Sequence, residues 1–221
     1  MHSCIPSPAD YKKLELRTLD FLRSNPTFQG RFRQLSNDAN LAYHRVEKSR
    51  GGYNFESYVD VTLEGQNRRV FLGGLIEIED AIHNNISYYL GFSKFNARRR
   101  SCRLLRKVHF DYQPPTGQGD KPIFHLQYGG ELTPLLKDFQ CTDHLLTSFE
   151  SKPRIPFMPM SLALLIDSLF FESQDLSCLE IAGRREWRDL VTTNEVNFWN
   201  PFFTKHAAKS KGRLHYWYAK P

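Results

Sequence analysis

From Gly51-Gly52 the spacing of apolar residues changes to two, and segments with this spacing follow one another, separated by short turn-rich links, as far as about Gly129. Phe55, Ser57, Val59, Val61 and Leu63 fall on one side of an extended chain, with Asn54, Glu56, Tyr58, Asp60 and Thr62 on the other. Glu64-Gly65-Gln66-Asn67 supplies turn chemistry, and Val70, Leu72, Ile76 and Ile78 then resume the alternation. Gly73-Gly74 within this run allows a bulge or a close backbone approach. Further strands are predicted at about 86–96, 103–113 and 122–129. Links this short join antiparallel neighbours, because a parallel crossover needs about a dozen residues or more. The pattern predicts a meander of about five or six strands.

Helical spacing frames this region. Tyr11, Leu14, Leu16, Leu19, Phe21 and Leu22 predict a helix from about Pro8 to Asn25, where Asn25-Pro26 ends the pattern. A second helix is expected over roughly Phe28 to Glu47. Downstream, Pro153-Arg154-Ile155-Pro156-Phe157-Met158-Pro159 reads as a stiff extended segment, followed by a helix with Leu162, Leu165, Ile166, Leu169 and Phe170 on its apolar face. Another helix is predicted at about Leu179 to Val191, then an aromatic tail in which Leu214 to Tyr218 forms one more strand. At 221 residues and 40% apolar, the chain suits one substantial core. The 17 Phe and 10 Tyr against 3 Met favour a sheet over a helical bundle. The expectation is one α+β domain over 1–221: helical at 8–47, sheet at 53–129, and a helical and aromatic tail at 159–221.

The two strands beside the Pro114-to-Asp120 link carry similar segments, Val108-His109-Phe110-Asp111-Tyr112 and Phe124-His125-Leu126-Gln127-Tyr128. A hairpin in which paired positions sum to about 234 sets His109 opposite His125 and Asp111 opposite Ile123. Two imidazoles near a carboxylate suit metal-independent phosphodiester cleavage: one takes a proton from a ribose 2′-hydroxyl, and the other protonates the leaving oxygen. Asp111 would fix a ring tautomer, while Gln127, Arg106 or Arg154 would hold the phosphate. That chemistry requires no cofactor. The bland alternative is a pair of histidines filling a sheet.

Charge points the same way. The formal net charge of +6 and pI near 9.1 suit an anionic partner, RNA first and an acidic protein second. The densest basic block comprises Arg98, Arg99, Arg100, Arg103, Arg106 and Lys107, and it leads directly into the first histidine strand. Lys205, Lys209, Lys211 and Arg213 lie near Tyr216, Trp217 and Tyr218. No apolar run is long enough to span a bilayer, and the amino terminus lacks a basic start and apolar core, so a cytoplasmic protein with no membrane partner is expected. Cys4, Cys102, Cys141 and Cys178 lack zinc-site spacing and are expected to be free thiols.

Asp60, Glu77 and Glu79 offer a competing metal-dependent nuclease site, but Glu79 stands where such a pattern ends in lysine, and an exposed strand edge explains these acids equally well. Phe198, Trp199, Phe202 and Phe203 suit either a partner anchor or the core. No Gly-x-Ser-x-Gly elbow or phosphate-binding glycine fingerprint is present, and the remaining histidines are isolated in sequence.

The stretch from His109 through Gly130, followed by Pro153-Arg154-x-Pro and an apolar helix, resembles uncharacterised prokaryotic proteins found near toxin and phage-defence genes. The likeness covers about half the chain. It implies a bacterial or archaeal cytoplasmic protein working with an operon partner, in RNA cleavage or in a non-enzymatic accessory or adaptor role, and it names no catalytic residue.

Overall fold

The computed structural model describes residues 5–26, 50–63, 65–80, 82–96, 98–99, 101–112, 124–129, 133–143, 155–173 and 175–210. Helix α1 (Pro8–Ser24) starts where Ser7 accepts the Asp10 N–H at 3.3 Å and Pro8 fills the first turn. Strands β1 (Arg50–Leu63), β2 (Gln66–Glu79), β3 (Ile82–Asn96), β4 (Ser101–Tyr112) and β5 (Phe124–Tyr128) then form an antiparallel meander, as the alternation predicts. Helix α2 (Pro134–Asp138) precedes two-residue strands: β6 (Thr142–Asp143) lies parallel to β4, and β7 (Ile155–Pro156) extends the sheet beyond β5. Helices α3 (Leu162–Glu172), α4 (Leu176–Ala182) and α5 (Arg185–Ser210) complete an α+β fold.

Alternation sends Phe55, Val59, Val70, Leu72, Ile76, Tyr88, Leu90, Val108, Phe110 and Phe124 to one face, where they share a core with α1, α3 and α5. The helices are tied down by polar contacts as well as by burial. Buried Glu15 accepts the Leu162 N–H at 2.9 Å, and Trp187 donates its indole N–H to Asp167 at 2.7 Å, linking α5 to α3. Burial raises the Asp167 pKa, and that bond opposes the rise.

The expected helix at 179–191 is instead two, broken at Gly183-Arg184, and the second continues through Pro201. Phe198 and Phe202 are buried core residues, and Trp199 donates to the Pro159 carbonyl at 2.9 Å, so these aromatics hold the helix on the sheet. Of the bulge or close approach expected at Gly73-Gly74, the structure has the close approach, and the register shifts instead at Glu77/Ile78 and at Phe92/Ser93. The two glycines make room for the rings of Tyr89 and Tyr88, one on each face. The predicted helix at 28–47 and strand at 214–218 lie outside the described residues.

The other face carries a smaller cluster of Phe71, Tyr89, Cys102, Leu104, Leu136 and Cys141, flanked by Tyr58, Phe95, Leu135 and Phe139. Here the expectation of free thiols is corrected, because Cys102 and Cys141 form a disulfide across 39 residues. The parallel pairing of β6 with β4, Arg103 beside Thr142, brings the two cysteine Cα atoms to 4.6 Å. Cys178 is buried and takes no part in this link, and Cys4 lies outside the described residues.

Candidate functional site

The site begins with register. Tyr112 pairs with Phe124 and Phe110 with Leu126, so His109 lies opposite Gln127 and Asp111 opposite His125. The expected pairing of His109 with His125 is corrected: the sum is two higher than expected. The rings of Tyr112 and Phe124, 5.1 Å apart, and the side chains of Phe110 and Leu126 fix this offset by packing together toward the helices. A shift of two leaves every side chain on its expected face. His109, Asp111, His125 and Gln127 therefore share the sheet surface that faces away from the main core, with the two imidazoles on a diagonal.

Two rows cross this surface. Glu56, Gly73, Tyr89, His109 and Gln127 are successive partners across β1 to β5, and Ser87, Asp111 and His125 form the next row. Because Gly73 has no side chain, the Tyr89 ring lies over it and reaches Glu56, whose Oε1 accepts the phenol at 3.0 Å. Burial and the Glu56 carboxylate raise the Tyr89 pKa, keeping the phenol protonated. The other Glu56 oxygen accepts the Leu135 N–H at 2.9 Å at the start of α2. Lys107 shares this face, 0% exposed, with Nζ 5.1 Å from the Tyr89 ring centroid.

His109 stacks at 6.0 Å from the Tyr89 ring and hydrogen-bonds the backbone of Gly129, and its buried Nε2 has no hydrogen-bond partner. Gly129 turns the chain with φ of 85° while its N–H bonds the Lys107 carbonyl at 2.9 Å. Burial first, then the Lys107 charge, lowers the His109 pKa to about 4 despite Asp111 and the Gly129 bond. The ring is thus neutral near pH 7, with a lone pair on Nε2. In the next row, Asp111 accepts the Ser87 hydroxyl at 2.5 Å and places its second oxygen 3.5 Å from His125 Nε2. The His125 side chain is 1% exposed and that of Asp111 16%.

The basic block does not form one patch. Lys107 enters the buried strip, while Arg106 points to the helix side, stacking on Phe92 at 4.4 Å and pairing with Glu172 at 2.9 Å. Arg103, Arg98 and Arg99 are exposed, the last two on the β3–β4 turn where Asn96 accepts their backbone N–H groups. That turn lies roughly 25 Å along β4 from His109, given the rise of an extended strand. Arg100 and Arg154 lie outside the described residues.

The acidic alternative separates. Asp60 makes a bidentate pair with Arg69, both contacts at 2.8 Å, whereas Glu77 and Glu79 sit at the opposite end of β2. Among the described residues no group of three His, Cys, Asp or Glu side chains is placed to hold a metal ion. The Arg69 guanidinium, its pKa raised chiefly by Asp60, lies between the rings of Tyr58 and Phe95, 4.1 and 3.9 Å from their centroids. Sequence reasoning missed Tyr89, Glu56 and Ser87. Their signal is positional, since each falls on the same alternating face as His109, and a glycine opposite a tyrosine leaves space for its ring. Comparison with protein-family models, curated proteins and solved structures finds no match for this chain.

Proposed function

We propose that this is a nucleic-acid-directed protein whose second sheet face cleaves RNA without a metal. The observation that carries the reading is the gathering of Lys107, His109, Asp111 and His125 on one surface, with an unpartnered Nε2 on a neutral His109. In this mechanism His109 Nε2 takes the 2′-hydroxyl proton, and the 2′-oxygen attacks phosphorus. The Lys107 ammonium stabilises the charge that develops on the phosphoryl oxygens. His125, whose Nε2 lies 3.5 Å from Asp111, gives a proton to the departing 5′-oxygen. A bound phosphate anion counters the Lys107 field and raises the His109 pKa toward neutrality, where it becomes a stronger base. Arg98 and Arg99 on the β3–β4 turn offer further positive charge to more distant phosphates, whereas Arg103, between Cys102 and Leu104 of the strip-side cluster, points to the opposite face. The cytoplasmic setting and operon partner implied by the resemblance to toxin- and defence-associated proteins belong to this proposal.

A second reading rests on the burial of His125 and Lys107 together with the exposed apolar side chains Phe171 and Leu176, at 77% and 82%. On that reading the strip is internal, and the chain is a binding or adaptor module for nucleic acid or an acidic protein. End-labelled single-stranded RNA incubated in EDTA separates the two. Cleavage abolished by His109→Ala and by His125→Ala, both shown to be folded, supports the enzyme. Salt-sensitive binding without turnover in all proteins supports the module.

A further inference from the structure

The Cys102–Cys141 disulfide closes a cover over the Glu56–Tyr89 end of the polar strip. Residues 133–143 form that cover. Thr133 Oγ1 lies 3.3 Å from the Tyr89 hydroxyl, and the Leu135 N–H meets Glu56 at 2.9 Å. Leu136 is fully buried, and the Phe139 ring packs 5.2 Å from Tyr58 and 5.3 Å from Phe71. The segment's own secondary structure is slight. Helix α2 is five residues long and β6 only two, both far below the length at which such elements persist alone. Gln140 also adopts a left-handed φ of 48°, a conformation that disfavours a side-chain-bearing residue. The covalent link therefore adds a restraint to a unit whose local structure is weak.

We propose that this disulfide is a redox latch: oxidised, it holds residues 133–143 closed over the strip, and a dithiol reductant releases them. A reductant thiolate attacks one cystine sulfur, the S–S bond breaks, and the departing cysteine sulfur takes a proton. The second reductant thiol then displaces the mixed disulfide, leaving two cysteine thiols and an oxidised, cyclic reductant. Re-closure transfers two electrons from the cysteine thiols to a peroxide, joining the sulfurs and yielding water. Release uncovers Tyr89, whose ring neighbours Lys107 and His109. In a glutathione-buffered compartment such links are transient and regulatory. The latch rests on the proposed function only for the meaning of the surface it uncovers.

The test compares peroxide-oxidised protein, dithiothreitol-reduced protein and the Cys141→Ser variant, with the Cys102–Cys141 cross-linked peptide verified by mass. The measurements are amide hydrogen exchange and diethylpyrocarbonate labelling of His109. We expect exchange across 133–143 and labelling of His109 to rise about ten-fold on reduction and in Cys141→Ser, with β2 and β3 amides unchanged. The proposal is overturned by unchanged exchange in 133–143, by loss of protection throughout the sheet, or by failure of peroxide to form the link. Increased exposure of His109 without any RNA cleavage supports the latch and defeats the ribonuclease reading instead.

Discussion

Glu15 and Leu162 stand 147 positions apart, yet the Glu15 carboxylate accepts the Leu162 N–H at 2.9 Å inside the core. It satisfies a first-turn donor of α3 and places negative charge at the positive end of that helix. Glu56 does the same for Leu135 at the start of α2, on the other side of the sheet. Two helices are thus seated by carboxylates supplied from distant parts of the chain. Removing the Glu15 oxygens by Glu15→Ala should cost about 2–4 kcal/mol through an orphaned buried donor and a small cavity. Glu15→Gln, which keeps an acceptor, should cost less than half as much. Urea denaturation of the two variants checks the ordering, and equal losses would contradict the capping role.

Gly73 is the position over which Tyr89 reaches Glu56. A Cβ there would collide with the Tyr89 ring and come within 2.7 Å of the Phe55 carbonyl oxygen. Gly73→Ala should therefore destabilise by about 1–3 kcal/mol and displace Tyr89. Thermal melts read the first effect and the tyrosine side-chain NMR signals the second.

Acid should weaken the fold between pH 6.5 and pH 4. His83 and His109 both have pKa values lowered to about 4, His83 mainly by burial and His109 by burial and Lys107. In that window the unfolded chain binds protons that the folded chain does not, so unfolding free energy falls as pH falls. Each histidine should contribute a loss of about 3 kcal/mol by the time pH is below 4. Urea midpoints measured across this range should show a shallower acid slope in His83→Gln and in His109→Gln than in the parent.

Gln140 closes α2. Its N–H bonds the Lys137 carbonyl at 2.9 Å and the next residue, Cys141, bonds the Leu136 carbonyl at 3.0 Å, the arrangement in which glycine is usual. Gln140→Gly should raise stability by about 0.5–1 kcal/mol, as relief of the left-handed φ outweighs the added freedom of the unfolded chain. A gain confined to slower exchange in 133–143 would show that only the cover is affected, while a loss of stability would contradict the assignment of strain.

A slip of two residues between β4 and β5 separates the expected site from the observed one. Tyr112 and Phe124 carry enough apolar surface to set that offset, but several offsets bury alternating aromatics, and only the packed helices select one. The face of each histidine was legible because parity survives a shift of two; the opposite partner was not. Lys107 shows the same division. It reads as one member of a basic block, yet in the fold it is fully buried on the strip face beside Tyr89.

The sequence by itself determined the meander, the α+β class, the apolar faces of α1 and α3, and which strand residues share a side, because periods of two and 3.6 are local properties of the backbone. Tertiary structure alone decided the Asp111–His125 pairing, the Cys102–Cys141 link, the buried neutral state of His109 and the Glu15 and Glu56 caps. Each joins residues distant in sequence, and their approach depends on how sheet and helices fill common space, which no local pattern encodes.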